Sequence, residues 1–173
     1  MNSQRAKLDK EQKQKYDLWT CDELLSWIKV HSAEVVHAYL PMGSEIDIRP
    51  LLEELLAIGM KVVCPKTLPR PKLENRVLKS FDQLETGVMG TKFPTEREVY
   101  EGDFDLIIVP GLAIDKNRYR LGYGGGYYDH FLNQHPEAHK VGIYYPFQLV
   151  ESVPTEPHDV QLDDVLIGEL KSE

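Results

Sequence analysis

Arg118, Arg120, Gly122, Gly124, Gly125, Gly126 and Asp129 fall within a dozen residues of one another, and their types suit oxyanion chemistry. A guanidinium presents a planar fork of donors that matches phosphate oxygens. Adjacent glycines carry no Cβ, so a ligand can approach backbone N–H groups directly. Tyr127 with Phe131 and Tyr128 with Leu132 then repeat at helical spacing, so the glycines lead into a helix N-terminus, where free N–H groups point at an anion. Together these residues describe a phosphate site. The spacing Gly122-x-Gly124-Gly125-Gly126 fits neither G-x-G-x-x-G, whose third glycine would fall at Tyr127, nor a P-loop, since no Gly-Lys-Ser/Thr occurs. A plain glycine-rich turn is the bland alternative. Asp129, in the first helical turn, would repel a phosphate unless a cation lay between them, which points to Mg²⁺; a carboxylate there also simply complements the helix dipole.

The elements around this stretch must position it. Leu106 to Val109 is an unbroken apolar run, as expected of a strand buried on both faces of a parallel sheet, and Pro110-Gly111 ends it. Upstream, a helix is expected from about Lys10 to His31, with Leu18, Trp19, Leu25, Trp27 and Ile28 facing the core. A strand over Glu34–Leu40 precedes a helix carrying Ile48, Leu51, Leu52, Leu55 and Leu56, with Pro50 early and Gly59 as its C-cap. Lys61–Cys64 reads as a strand, Pro65–Lys72 as a loop, Asn75–Phe81 as a weaker strand and Thr86–Gly102 as mostly irregular. Val141–Tyr145 and Val165–Ile167 are the last strands. Such alternation implies an α/β fold with a mostly parallel sheet covered by helices on both faces. Ligands of such sheets bind beyond the carboxyl ends of the strands. Three segments should meet there: Leu40–Asp47 with Glu45 and Asp47, the glycine loop, and Tyr144–Asp159 with His158 and Asp159. Ser44 or Asp47 could equally cap a helix, and the segment around Pro157 could be a turn.

Composition limits the functions open to the chain. Its 173 residues, 42% of them hydrophobic, suit a single domain spanning 1–173. The net charge of −8 with no long basic run argues against a nucleic-acid surface. No apolar run approaches a membrane span and the N-terminus has no apolar signal core, so the expected location is the cytoplasm. Cys21 and Cys64 lack metal-ligand spacing and are expected as buried thiols.

Four blocks carry a family resemblance: Tyr39-Leu40-Pro41-Met42-x-x-Glu45-Ile46-Asp47, Asp105 through Ala113, Arg120-Leu121-Gly122-Tyr123-Gly124-Gly125-Gly126-Tyr127-Tyr128-Asp129, and Val153-Pro154 with His158-Asp159 and Val165. In this order the chain resembles the 5-formyltetrahydrofolate cyclo-ligase (5,10-methenyltetrahydrofolate synthetase) family over about residues 8 to 168. The resemblance implies a three-layer Rossmann-like fold and ATP- and Mg²⁺-dependent closure of 5-formyltetrahydrofolate to 5,10-methenyltetrahydrofolate. By position it assigns ATP to Arg120, Leu121, Gly122, Tyr123, Gly124, Gly125, Gly126, Tyr127 and Tyr128. Folate falls to Leu40, Glu45 and Tyr123 through Tyr127, catalysis to Arg120 and Tyr127, and Mg²⁺ to Asp129 and Asp159. The expected partners are the folate and ATP, without nucleic acid or membrane, and the expected state is a monomer.

One block of the family pattern has no counterpart. The family carries K-x-x-L-R, an ATP-contacting segment, ahead of its first helix, whereas Arg5-Ala6-Lys7-Leu8 aligns just after that block. Either Arg5 or Lys7 substitutes, or nucleotide affinity is lower. Two other classes fit the residues alone: a sugar-phosphate isomerase or deaminase, and a non-catalytic nucleotide- or folate-binding module. An isomerase has no obvious need for the Asp129 and Asp159 pair.

Overall fold

The computed structural model describes residues 2–69 and 71–170; Met1, Arg70 and 171–173 of the expected 1–173 domain lie outside the described residues. In chain order the elements are α1 (Asn2–Arg5), α2 (Lys10–Val30), β1 (Val35–Ala38), α3 (Arg49–Ala57), β2 (Lys61–Leu68), β3 (Lys72–Leu78), β4 (Leu84–Thr86) and β5 (Lys92–Pro94). There follow β6 (Leu106–Val109), β7 (Ala113–Asp115), β8 (Arg120–Leu121), α4 (Tyr127–Asn133), β9 (His139–Ile143), β10 (Leu149–Val150) and β11 (Asp164–Leu166). Six strands form the main sheet in the order β11-β9-β6-β1-β2-β3, parallel throughout except for the β2–β3 pair. Among the described residues no helix is long and apolar enough to cross a membrane.

The central strands show why the chain makes three layers. Successive strand side chains point to opposite faces. Val36, Leu106 and Ile108 accordingly pack in one core with Leu24 and Ile28 of α2 and Leu52 and Leu55 of α3. Ile107 and Val109 pack in a second core with Phe131 and Leu132 of α4. All four residues of β6 have no exposed surface, which accounts for their unbroken apolar run. Asp9 caps α2 by accepting from the N–H groups of Glu11 (2.9 Å) and Gln12 (3.2 Å). Gly59, just after α3, has φ +79°, the left-handed conformation a helix C-terminus favours glycine for.

Three expectations need correction. The buried stripe of α2 is Tyr16, Asp17, Thr20, Cys21, Leu24 and Ile28; Leu18 is exposed, and Trp19, Leu25 and Trp27 only flank the core. Tyr16 and Thr20 complete the spacing that apolarity alone hides. Second, β2 runs on through Pro65 to Leu68 and pairs with Lys72–Leu78, where a loop was expected. The β1 ladder reaches only His37↔Val63, so beyond it β2 has β3 on one side alone, and Pro65 takes a position where no donor is needed. Third, the stretch after Thr86 holds a hairpin, β4 paired with β5 around a one-turn 3₁₀ segment at Val88–Gly90. The expected thiols are as read: Cys21 and Cys64 are free and buried.

β1 also carries a buried base. His37 has no exposed surface, lies 4.5 Å from the Phe131 ring, and neither ring nitrogen reaches good hydrogen-bond geometry. Burial lowers its pKa from 6.5 to about 3, and the nearby Asn75 side chain offsets only part of that. The unfolded chain therefore takes up this proton below 6.5 while the folded chain does not until about 3. Stability is lost as pH falls through that window, by at most about 1.4 kcal/mol per pH unit. Urea titrations from pH 7 to pH 4 should show this slope, and His37→Leu should flatten it; an unchanged slope in the variant would assign the acid sensitivity to other groups.

Candidate active site

At the carboxyl ends of β1, β6 and β2 lies a cleft of about 210 Å³. It is lined by Leu40 and Glu45 after β1, Pro65 and Thr67 of β2, Leu73 of β3, Pro110 after β6, and Arg120. The glycine loop closes the side with Gly122, Tyr123, Gly125, Gly126, Tyr127 and Tyr128, and Asp129 completes the lining. Sequence-predicted Leu121, Gly124 and Asp159 are not among the lining residues, and Leu121 is exposed.

Arg120 owes its place to a small second sheet, β10-β7-β8, in which β8 pairs antiparallel with β7. Alternation turns Arg120 inward, with its side chain 3% exposed, and Leu121 outward. Its Nη1 donates to Asp129 Oδ1 at 2.7 Å, and Nε is buried with no hydrogen-bond partner among the described residues. A buried guanidinium with a donor to spare is suited to an incoming oxyanion. Asp129 thus does more than complement a helix dipole: it holds the arginine, and it also accepts from Val160 N at 3.3 Å. The glycine loop runs through left-handed backbone at Gly124 (φ +89°) and Gly126 (φ +65°), the latter at the N-cap of α4. A Cβ on Gly125 would sit 2.6 Å from the Tyr127 ring. That ring is fixed in turn by its hydroxyl, which donates to Leu68 O at 3.1 Å.

Glu45 occupies the other end. It does not cap α3, and neither expected cap does: the N-cap is Ile48, without a side-chain cap, and Asp47, one residue earlier and outside the cleft lining, accepts from Arg49 N at 3.0 Å. Glu45, 8% exposed, accepts from Met42 N through Oε2 (2.9 Å) and from the Tyr123 hydroxyl through Oε1 (2.7 Å). Arg5 Nη2 donates to the same hydroxyl at 2.9 Å. An arginine can only donate, so it fixes the direction of the tyrosine proton toward Glu45. Burial pushes the Tyr123 hydroxyl up to about 12, with Arg5 opposing and Glu45 adding to the shift, so it remains a donor at neutral pH. The loop itself is tied down from α2, where Lys13 Nζ donates to Glu45 O at 2.9 Å, and from Tyr39, whose hydroxyl donates to Ile46 O at 2.8 Å. Of the two expected N-terminal cations, Arg5 is buried beside the cleft and Lys7 is exposed.

Asp159 lies outside the cleft lining. Its Oδ2 accepts from Glu156 N at 2.7 Å within a turn, and its neighbour Val160 is the residue bonded to Asp129. His158 is exposed. Among the described residues no group of three or more His, Cys, Asp or Glu side chains gathers as a metal cage. Mg²⁺, however, commonly takes one or two carboxylates and completes its octahedron with water and phosphate oxygens. Asp129 Oδ2 makes no hydrogen bond or ion pair among the described residues, and Asp129 with Asp159, whose neighbour Val160 bonds to Asp129, is the carboxylate pair that would fit that donor set.

The hairpin was the part of the site missed in the sequence. Val88, Met89, Thr91 and Lys92 line the cleft, and Met89 is 82% exposed with φ +57°. The only cue was the glycine pair Gly87 and Gly90 bracketing two apolar residues, which marks a turn but says nothing of what the turn faces.

The Arg120–Asp129 pair has a measurable signature. Removing one partner of a buried pair leaves an uncompensated charge, whereas replacing both does not. Asp129→Asn should therefore cost about 3 kcal/mol of unfolding free energy, and Arg120→Met combined with Asp129→Asn should recover a large part of it. Additive losses in denaturant titrations would show that the two side chains are not coupled.

Comparison with known proteins bears on this arrangement. The sequence profile of the 5-formyltetrahydrofolate cyclo-ligase family matches residues 1–168. The 5-formyltetrahydrofolate cyclo-ligase of Mycolicibacterium smegmatis is 33% identical over 150 residues, covering 82% of this chain and 77% of that protein. The Escherichia coli enzyme of the same name is 30% identical over 173 residues, covering 96% and 95%. The NMR structure of Aquifex aeolicus 5,10-methenyltetrahydrofolate synthetase superposes with a TM-score of 0.80 at 30% identity, over 96% of this chain and 84% of that one. With a profile match across nearly its whole length, the same three-layer architecture, and Leu40, Glu45, Pro110, Arg120 and much of the glycine loop lining one cleft, the chain belongs to the 5-formyltetrahydrofolate cyclo-ligase family.

Proposed function

We propose that the chain closes 5-formyltetrahydrofolate to 5,10-methenyltetrahydrofolate at the expense of ATP, with Mg²⁺, releasing ADP and phosphate, and that it does so as a cytoplasmic monomer. The observation that carries this reading is the polarity of the cleft. One end holds the buried Arg120 guanidinium beside the glycine loop; the other holds the Glu45 carboxylate, with tyrosines between them.

The chemistry follows from those ends. The formyl oxygen attacks the γ-phosphorus, the bond to the β-phosphate oxygen breaks, and ADP leaves. The activated formyl carbon is then attacked by the neighbouring folate nitrogen, and the C–O bond breaks to release phosphate together with the former formyl oxygen. Phosphoryl transfer asks a protein mainly for alignment and neutralisation of charge. Arg120 and the backbone amides of Gly125 and Gly126 supply both, with Tyr127 and Tyr128 lining the same cleft. Asp129 and Asp159 would hold Mg²⁺, which when bound offsets the negative charge of the triphosphate. The pterin's ring N–H and amino group form a donor edge, and Glu45 is the acceptor that matches it, while the tyrosines give flat walls. On this reading the pterin takes over the Glu45 oxygen that Tyr123 now occupies.

The direct test is the absorbance of the methenyl product formed from 5-formyltetrahydrofolate, with ATP or Mg²⁺ omitted in turn; product without ATP would reject the reading. Glu45→Gln should raise KM for 5-formyltetrahydrofolate by an amount worth about 1–3 kcal/mol, because an acceptor facing a donor becomes a mismatch. KM for ATP should stay close to its original value; an unchanged folate KM with a lowered Tm would return Glu45 to the structural task of closing the Met42 turn. Gly125→Ala should act on the opposite end. Its new methyl meets the Tyr127 ring at 2.6 Å, so KM for ATP should rise while the folate KM moves less, and equal effects on both would count against a nucleotide role for the loop.

A further inference from the structure

The site depends on a second buried carboxylate that no sequence motif assigned to it. Asp115 ends β7, is 4% exposed, and forms no ion pair among the described residues. Its charge is instead met by backbone donors: Oδ1 accepts from Asn117 N (2.9 Å) and Tyr119 N (3.0 Å), and Oδ2 accepts from Val153 N (3.1 Å). Its own backbone closes the same turn, donating to Tyr119 O at 3.0 Å and accepting from Arg118 N at 2.9 Å. Arg118 sits inside that turn at φ +63°, a conformation a non-glycine residue holds only when its surroundings impose it.

The consequence reaches Arg120. β8 is two residues long, and a slip of one residue would turn Arg120 out of the cleft and Leu121 into it. So short a ladder specifies its register poorly, and the turn fixed by Asp115 supplies what the ladder lacks. The Oδ2 contact does the same for the other arm. Val153 begins the segment that brings Val160 N to Asp129 and ends with Leu162 N donating to Arg118 O at 3.0 Å. Gln161 adds a bond to Asn117 O at 2.7 Å. Arg120 and the Asp159 segment are thus hung from one carboxylate.

We infer that Asp115 is a positioning residue for the nucleotide end of the cleft, setting the register of Arg120 and the approach of the 153–162 segment without touching the substrates. The inference rests on the nucleotide reading given above. Asp105 provides the control, since its Oδ2 likewise accepts two backbone N–H groups, Glu34 (2.8 Å) and Val35 (2.9 Å), at the opposite end of the sheet. Asp115→Asn and Asp105→Asn should both lower Tm. Calorimetric titration with a non-hydrolysable ATP analogue and Mg²⁺ should show about tenfold weaker binding for Asp115→Asn alone, the loss of roughly one charged contact. Binding of 5-formyltetrahydrofolate should be unchanged in both. Equal losses of nucleotide affinity in the two variants, or none in Asp115→Asn, would overturn the inference. A second readout needs no nucleotide: Val153→Cys places a thiol at a buried position, and adding Asp115→Asn should speed its reaction with a thiol reagent several-fold, whereas adding Asp105→Asn should not. Absence of analogue binding in the unmodified protein would sink the functional reading, and the labelling rates would still decide whether Asp115 holds the segment.

Discussion

A guanidinium taken out of water has to be paid for by an acceptor, and in this fold that acceptor is Asp129. Arg120 comes from a two-residue strand, Asp129 from the first turn of α4, and Val160 from a loop beyond β10; all three meet at one carboxylate oxygen. Desolvating the pair costs several kcal/mol, which good geometry and further hydrogen bonds must return. The return here is functional geometry. The pair fixes the glycine loop between its two ends, because the loop runs from Arg120 directly into the helix that carries Asp129.

The opposite end of the cleft is held by different means and from a different layer. Glu45 is anchored through its backbone oxygen by Lys13 of α2 and through its side chain by Met42 N and Tyr123. Lys13 is itself paired with Asp17, whose second oxygen accepts from the Tyr145 hydroxyl at 2.9 Å. Burial raises the Asp17 pKa, with Lys13 and Tyr145 opposing the shift. One chain of polar contacts therefore runs from the helical layer through the Glu45 end of the cleft, while the Arg120 end hangs from the small sheet. Tyr123 is the point where the two meet, since it belongs to the glycine loop and bonds to Glu45. A ligand that displaces its hydroxyl at one end is felt in the loop that serves the other.

The hairpin β4–β5 stands outside both systems. It is gripped through Phe93, which lies under Lys66 (4.7 Å) and Arg76 (5.2 Å) from β2 and β3, and its tip projects Val88 and Met89 into the cleft. Cation–π contacts of this kind contribute about 0.5–2 kcal/mol each, enough to seat a hairpin but not to bury its tip.

Much of the main sheet and of the site was legible in the sequence because it is written in local pattern. The apolar run of β6, the repeat of α3 with Pro50 and Gly59, and the glycines before α4 each record an interaction made within a few residues. What the sequence left open was decided by contacts between distant residues. Whether Glu45 faces α3 or the cleft could not be told from adjacency, and its bond to Tyr123, 78 positions away, settles it. Pro65 read as a loop because nothing local says that β2 has a neighbour on one side only at that point. The face of α2 was misread because Tyr16 and Thr20 are buried by partners 128 residues off and one turn back, respectively. Asp115 and the hairpin tip carried no motif at all. A motif records chemistry fixed by spacing along the chain, whereas burial, register and the meeting of charges depend on which surfaces the fold brings together.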